Sequence, residues 1–191
     1  MTDEPTGGES VGAVRTLLRE IGEDPDRPGL AGTPERVRRM YAELSSGYRT
    51  DPEALVNGAC YQVDYDEMVV VRDIEFYSLC EHHLLPFFGR VSVGYLPRGT
   101  VIGLSKIPRI VELYAKRLQI QERLTTEIAT FLMDRLEPKG VGCVVEASHL
   151  CTMMRGVKKE QARMVTSAML GTFRRDGRTR NEFLRLIGRS D

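Results

Sequence analysis

Apolar residues in the first quarter of the chain recur with helical spacing. Val11, Val14, Leu17, Leu18 and Ile21 fall on one side of an amphipathic helix. The prolines and glycine of Glu23-Asp24-Pro25-Asp26-Arg27-Pro28-Gly29 interrupt it. Thr33-Pro34 then reads as an N-cap with proline in the first turn, and Val37, Met40, Tyr41 and Leu44 form the stripe of a second helix. Residues 1–10 (MTDEPTGGES) are polar and rich in turn formers, which predicts a disordered tail. Residues 11–66 read as a helical arm with an irregular connection from Ser45 to Asp66, and residues 67–191 as the main domain.

From Glu67 the period shortens to that of a strand. Over Val69–Leu79, Ile74, Phe76 and Ser78 share one face, while Asp73, Glu75 and Tyr77 share the other. Gly89–Leu96 reads as its partner, followed by a short strand near Val101–Leu104. Ser105 opens a helix with Pro108 in its first turn and Ile107, Ile110, Val111 and Tyr114 inward. A further helix starts near Glu122, with Leu124, Ile128, Phe131 and Leu132 inward, and Lys139-Gly140 ends it. Val141–His149 and Arg163–Phe173 read as two more strands and Thr179–Ile187 as a last helix. This order predicts an α+β fold, an antiparallel sheet with helices on one face, preceded by the helical arm.

Composition narrows the options. The chain has 191 residues, 41% apolar and 28% charged, enough for a single core and ordinary for a globular protein. It carries no apolar run of membrane-spanning length and an acidic N-terminus unlike a signal peptide, so no membrane partner and a cytoplasmic location are expected. In a reducing compartment its 4 cysteines suit metal ligation or burial better than disulfides. The net charge of zero hides an asymmetry: residues 1–70 hold 7 Lys/Arg against 14 Asp/Glu, and residues 71–191 hold 20 against 13. The basic part suits an anionic ligand, or the acidic part of a neighbouring copy. No basic block with interleaved aromatics is present, so nucleic acid is not an expected partner.

All 3 histidines lie within three positions of a cysteine, in Cys80-Glu81-His82-His83 and His149-Leu150-Cys151. Thiolate and imidazole together select zinc. Cys80 falls where the first long strand ends, so Cys-x-x-His sits on a turn and lets Cys80 and His83 converge on one ion. Adjacent His82 diverges from it. Cys151 adds a second thiolate, with His149 beside it. Three ligands leave a fourth position for water, as in a catalytic zinc site, whereas His149 or His82 as a fourth ligand closes a structural one. Spacing leaves both readings open. Cys143 alternates with Val141 and Val145 as a core residue, and Cys60 has no partner pattern. Lys158, Lys159, Arg174 and Arg175 read as surface charge.

Three longer segments carry a resemblance: CEHHLLPF (80–87), GLSKIPRIVELYAKRLQIQERLT (103–125) and EASHLCTMMRGV (146–157). With GEDPDRPGL, TPERVRRMY and TRNEFLRLI they resemble zinc-dependent GTP cyclohydrolase I, from about residue 11 to the C-terminus. The resemblance implies a tunnelling fold for the main domain and conversion of GTP and water to formate and 7,8-dihydroneopterin triphosphate. That reaction is the entry step to tetrahydrofolate and related pterins. It implies one zinc per subunit on Cys80, His83 and Cys151, and His149 as the acid that protonates purine N7. His82 matches a second pocket histidine that carries protons later in the reaction. Ser105, Lys106, Arg109 and Arg155 match the triphosphate site, in keeping with a helix N-terminus and guanidinium forks. Glu122 matches the carboxylate that accepts from guanine N1–H and its amine, with Gln121 next to it. In the family, active sites lie between subunits, and two pentameric rings stack into a homodecamer.

Rival readings are a nucleobase deaminase, a tunnelling-fold reductase of a deazaguanine nitrile, and a non-catalytic zinc-stabilised nucleotide-binding protein. The deaminase patterns H-x-E and P-C-x-x-C are absent. The reductase uses its cysteine as a nucleophile, against which the paired Cys80/His83 and Cys151 argue.

Overall fold

A computed structural model describes residues 7–56 and 58–188. By packing, the chain divides into two compact units, Met1–Ser46 and Gly47–Asp191.

The first unit is a pair of helices, α1 (Gly7–Glu20) and α2 (Thr33–Leu44), packed against each other. Of the tail expected over residues 1–10, residues 1–6 lie outside the described residues, and Gly7–Ser10 form the first turn of α1. The segment between the helices is held by Arg15, which donates to Asp26 at 2.6 Å, and by Arg27, which donates to Glu23 at 2.8 Å. The cap of α2 is Gly32 rather than Thr33, and it makes no side-chain bond. Pro34, in the first turn, starts this helix because its fixed φ is helical and its missing N–H is not needed there.

A 3-10 turn at Ser46–Tyr48 spans the boundary, and the second unit continues with a short helix α3 (Pro52–Val56). β1 (Cys60–Gln62) pairs antiparallel with β4 (Thr100–Ile102) in a small separate sheet. The connection expected to be irregular over 45–66 therefore holds three short elements, and Cys60 lies on a strand. The main sheet contains β2 (Val69–Cys80), β3 (Pro86–Leu96), β6 (Gly140–His149), β7 (Met164–Gly171) and the two-residue β5 (Leu118–Gln119), in the order β5-β2-β3-β6-β7. All neighbours are antiparallel except β5, which runs parallel to the end of β2. A bulge between Val71 and Ile74, with Asp73 at φ 58°, resets the β2–β3 register.

Two helices, α4 (Lys106–Ala115) and α5 (Gln121–Leu136), cover one face. Ile107, Ile110 and Val111 of α4 and Leu124, Ile128 and Leu132 of α5 meet Phe76, Val91, Val93, Tyr95, Val141 and Val145 of the strands in one core. The alternation expected along β2 holds: Ile74, Phe76 and Ser78 are buried, and Asp73, Glu75 and Tyr77 are exposed. The chain then closes with three short helices, α6 (Leu150–Met153), α7 (Thr172–Arg175) and α8 (Gly177–Leu186). Phe173 and Phe183 from the last two, with Val144, form a small second core on the other side of the sheet. Gly94 and Gly142 make room for it, since a Cβ at either would lie 2.6–2.7 Å from a phenylalanine ring atom. No helix among the described residues is long and apolar enough to cross a membrane.

Candidate active site

One end of the main sheet gathers the chemistry. β2 stops at Cys80, and the turn back into β3 is closed by hydrogen bonds from Leu84 N to Cys80 O at 2.8 Å and from Cys80 N to Leu85 O at 2.9 Å. β6 stops at His149, paired with Phe87 of β3, and Cys151 follows in α6. Cys80, His83 and Cys151 thereby bring two sulfurs and a ring nitrogen within 4.8 Å of one another. A tetrahedral zinc about 2.3 Å from each sulfur holds two sulfurs roughly 3.8 Å apart, so the group fits such an ion with little closure. Burial, and then the facing Cys80 thiol, push the Cys151 thiol above the ordinary range. A bound cation reverses that preference by favouring both thiolates.

His82 does not join the cluster. Its side chain is 65% exposed and its ring stands at 81° to that of His83; its Nδ1 contacts Cys80 Sγ at 3.9 Å without joining the three converging donors. Arg155 lies at the mouth and donates to His83 Nε2 at 3.1 Å. That bond uses the lone pair a metal would take, so the Arg155 contact and ligation through Nε2 exclude each other.

His149 stands beside the cluster and is held on two sides. The Phe87 ring stacks on it at 4.7 Å with the planes 2° apart, and its Nε2 lies 2.8 Å from Gln121 Oε1. Burial lowers its pKa from the ordinary imidazole value, and the Glu122 charge opposes that shift. Gln121 and Glu122 are the first two residues of α5, which β5 delivers to the end of β2. Glu122 is exposed there, whereas Gln121 is buried.

A contact network braces the turn that carries Cys80 and His83. Glu81 N donates to Gln119 O at 3.0 Å, and Arg123 pairs with the Glu81 carboxylate. The same guanidinium donates to Gln119 Oε1 at 2.9 Å and Leu118 O at 2.8 Å. Sequence reasoning missed Phe87, Glu81 and Arg123. Phe87 could be found only from the β3–β6 register, which puts it opposite His149.

The other candidates for the triphosphate site lie on or next to α4. Ser105 caps α4, and Arg109 is exposed on its first turns. Lys106 donates to Leu55 O at 2.7 Å. The opposite end of α4, at Ala115, leads into β5 beside Cys80; along the helix axis Arg109 stands roughly 9 Å and Ser105 roughly 15 Å from that end.

Two thiols and an imidazole at the end of an antiparallel sheet, with a tethered histidine and an exposed carboxylate alongside, are the makings of a metal-assisted hydrolase. The family model of GTP cyclohydrolase I matches residues 11–188, and the chain belongs to that family. GTP cyclohydrolase 1 of Synechococcus sp. (strain JA-3-3Ab) is 58% identical over 189 residues, covering 96% of this chain and 82% of the relative. That of Chlorobaculum tepidum is 54% identical over 186 residues, with 97% and 83% covered. That of Leptospira biflexa is 55% identical over 174 residues, with 91% and 95% covered. The solved structure of an archaeosine synthase QueF-Like in the apo form matches with a TM-score of 0.46 at 20% identity, over 56% of this chain and 97% of that one, a likeness too slight to argue from.

Proposed function

We propose that this hydrolase converts GTP and water to formate and 7,8-dihydroneopterin triphosphate at the end of β2 and β6, with zinc on Cys80, His83 and Cys151. The convergence of those three donors within 4.8 Å, beside a histidine already fixed by two neighbours, carries the reading. When bound, zinc supplies the Lewis acidity that lets a water act as hydroxide near neutral pH. His149 serves the purine: a proton given to N7 draws electrons from C8 and makes it open to attack. Phe87 keeps that imidazole in one plane. Glu122, exposed at the start of α5, accepts from guanine N1–H and the exocyclic amine, a donor pair that adenine lacks. His82, on the exposed side of the turn, carries protons in the later ring rearrangement.

Arg155 beside His83 holds the triphosphate from within the chain. Ser105, Lys106 and Arg109 hold it from a neighbouring copy, since in their own chain they lie toward the end of α4 away from Cys80, roughly 9–15 Å along the axis. The assembly that brings them together is a homodecamer of two pentameric rings. Two sheet edges support it: among the described residues, β7 has no partner on its outer side, and β2 is covered by β5 only at Leu79 and Cys80. Such edges are stable when closed against copies of themselves.

The test is formate release, with a fluorescent pterin after oxidation, from GTP and protein loaded with one zinc per chain. Both products are expected. Folded, zinc-loaded protein that binds GTP and yields neither overturns the assignment.

A further inference from the structure

The hydrogen bonds of the Gln121 side chain admit only one arrangement. Its amide nitrogen lies 3.1 Å from Val145 O, 3.0 Å from Met164 O and 3.2 Å from Thr166 Oγ1. Carbonyl oxygens accept and never donate, so the nitrogen must face them and Oε1 must face the other way. A reversed amide would set its oxygen against two carbonyl oxygens in a buried site. Thr125 agrees: its hydroxyl donates to Gln121 O at 2.7 Å, so it accepts from the Thr166 hydroxyl at 2.6 Å. That leaves the Thr166 lone pairs for Gln121. The ring of donors closes, and no buried side-chain nitrogen or oxygen among the described residues is left without a partner.

Oε1 is then the atom that meets His149 Nε2 at 2.8 Å, and it too can only accept. The proton of that bond therefore belongs to Nε2. Gln121 is 1% exposed, and both ends of its side-chain amide are used within the protein, so that amide is not left to hold guanine. His149 Nδ1 has no hydrogen-bond partner among the described residues, while Phe87 stacks on the ring at 4.7 Å and fixes its plane.

We infer that Gln121 is a positioning residue that holds a hydrogen on His149 Nε2, so that Nδ1 is the ring atom presented to the substrate: bare in the neutral ring, and the atom that gives up the proton when the ring carries two. The inference rests on the reading of His149 as the residue that serves the purine. A glutamine tied to β6 and β7 thus sets the edge by which a histidine at the end of β6 meets its ligand.

The direct test is nitrogen NMR on zinc-loaded protein labelled with 15N at histidine, with His149→Asn used to assign the signal. With the ring neutral, Nε2 should show one-bond coupling to hydrogen and Nδ1 the shift of a bare ring nitrogen. The opposite tautomer, or averaging of the two, overturns the inference. Gln121→Met keeps the volume and removes every bond. It should leave His149 averaging between tautomers and lower kcat about 10-fold or more, with KM for GTP within about threefold. A raised KM at unchanged kcat would make Gln121 a substrate contact and also overturn the inference. Should Gln121→Met not fold, the wild-type spectrum decides alone. Absence of formate from the zinc-loaded wild type defeats the functional reading but leaves the tautomer measurable, so the two failures are told apart.

Discussion

Cys143 and Cys151 lie eight positions apart around the end of β6, and their surroundings give them different work. Cys143 is fully buried in the core, and burial alone pushes its thiol pKa far up. The folded protein thus keeps that proton at a pH where the unfolded chain has lost it. As pH rises through the ordinary thiol range, the unfolded state binds fewer protons than the native one, and stability falls. The slope contributed is at most about 1.4 kcal/mol per pH unit. Cys143→Ala should be less stable than wild type at pH 7 but lose less between pH 8 and pH 10, read from urea midpoints. An unchanged difference between the two proteins across that range refutes the account. Cys151 instead faces Cys80, and its removal should show a ligand's signature. Cys151→Ser is expected to lose bound zinc and formate release together. His149→Ala should retain one zinc per chain while turnover falls on the order of 10²–10⁴-fold. Zinc content by atomic emission, beside a formate assay, separates the two; an empty site in His149→Ala would make the histidine a ligand.

At the scale of elements, the close approach of β3 and β6 helps fix where the candidate metal donors meet. Gly89 of β3 pairs with Ala147 of β6, two residues before His149. A Cβ built on Gly89 would lie 1.9 Å from Glu146 O and 2.7 Å from Ala147 Cα, both backbone atoms that cannot yield without parting the strands. Gly89→Ala should cost about 3 kcal/mol, a fall in Tm of roughly 6–12 °C, and should weaken zinc binding as well. Gly103→Ala, where the nearest atoms stand at 3.7 Å, is the control and should change Tm little. Equal Tm values for the two variants would show that the sheet tolerates the Cβ. The elements themselves were largely legible, because period-two alternation along β2 and helical stripes along α4 and α5 each mark one buried face. The Cys-x-x-His and His-x-Cys spacings likewise marked Cys80, His83 and Cys151, the group that could hold a metal ion. The small β1–β4 sheet was not legible, since three-residue strands with a half-exposed pattern carry no period. Nor was the Glu81–Arg123 pairing, which depends on β5 running parallel to β2. The role of Gln121 was hidden too: its partners Val145, Met164 and Thr166 lie 24 to 45 residues away, on β6 and β7.

The direction of α4 has a consequence for the whole molecule. Its start carries Ser105, Lys106 and Arg109, and its end delivers the chain to the metal turn, so a single copy separates the proposed phosphate donors from the proposed zinc. If a neighbouring copy supplies the missing end, each active site draws on two chains, and a defect in one chain can be masked by the other. Cys151→Ser and Arg109→Ala should each be nearly inactive alone, the first for want of metal, the second for want of a phosphate clamp. Mixed in equal amounts under conditions that exchange subunits, they form junctions with metal donors from one variant and arginine from the other. With random mixing in a closed ring, roughly a quarter of junctions are intact, so formate release should recover toward a quarter of the wild-type rate. Sedimentation of the mixture as a single large assembly should accompany the recovery. A mixture that assembles fully but stays inactive would place both groups of residues in the site of one chain, and the separation along α4 would then need a movement of that helix to close it.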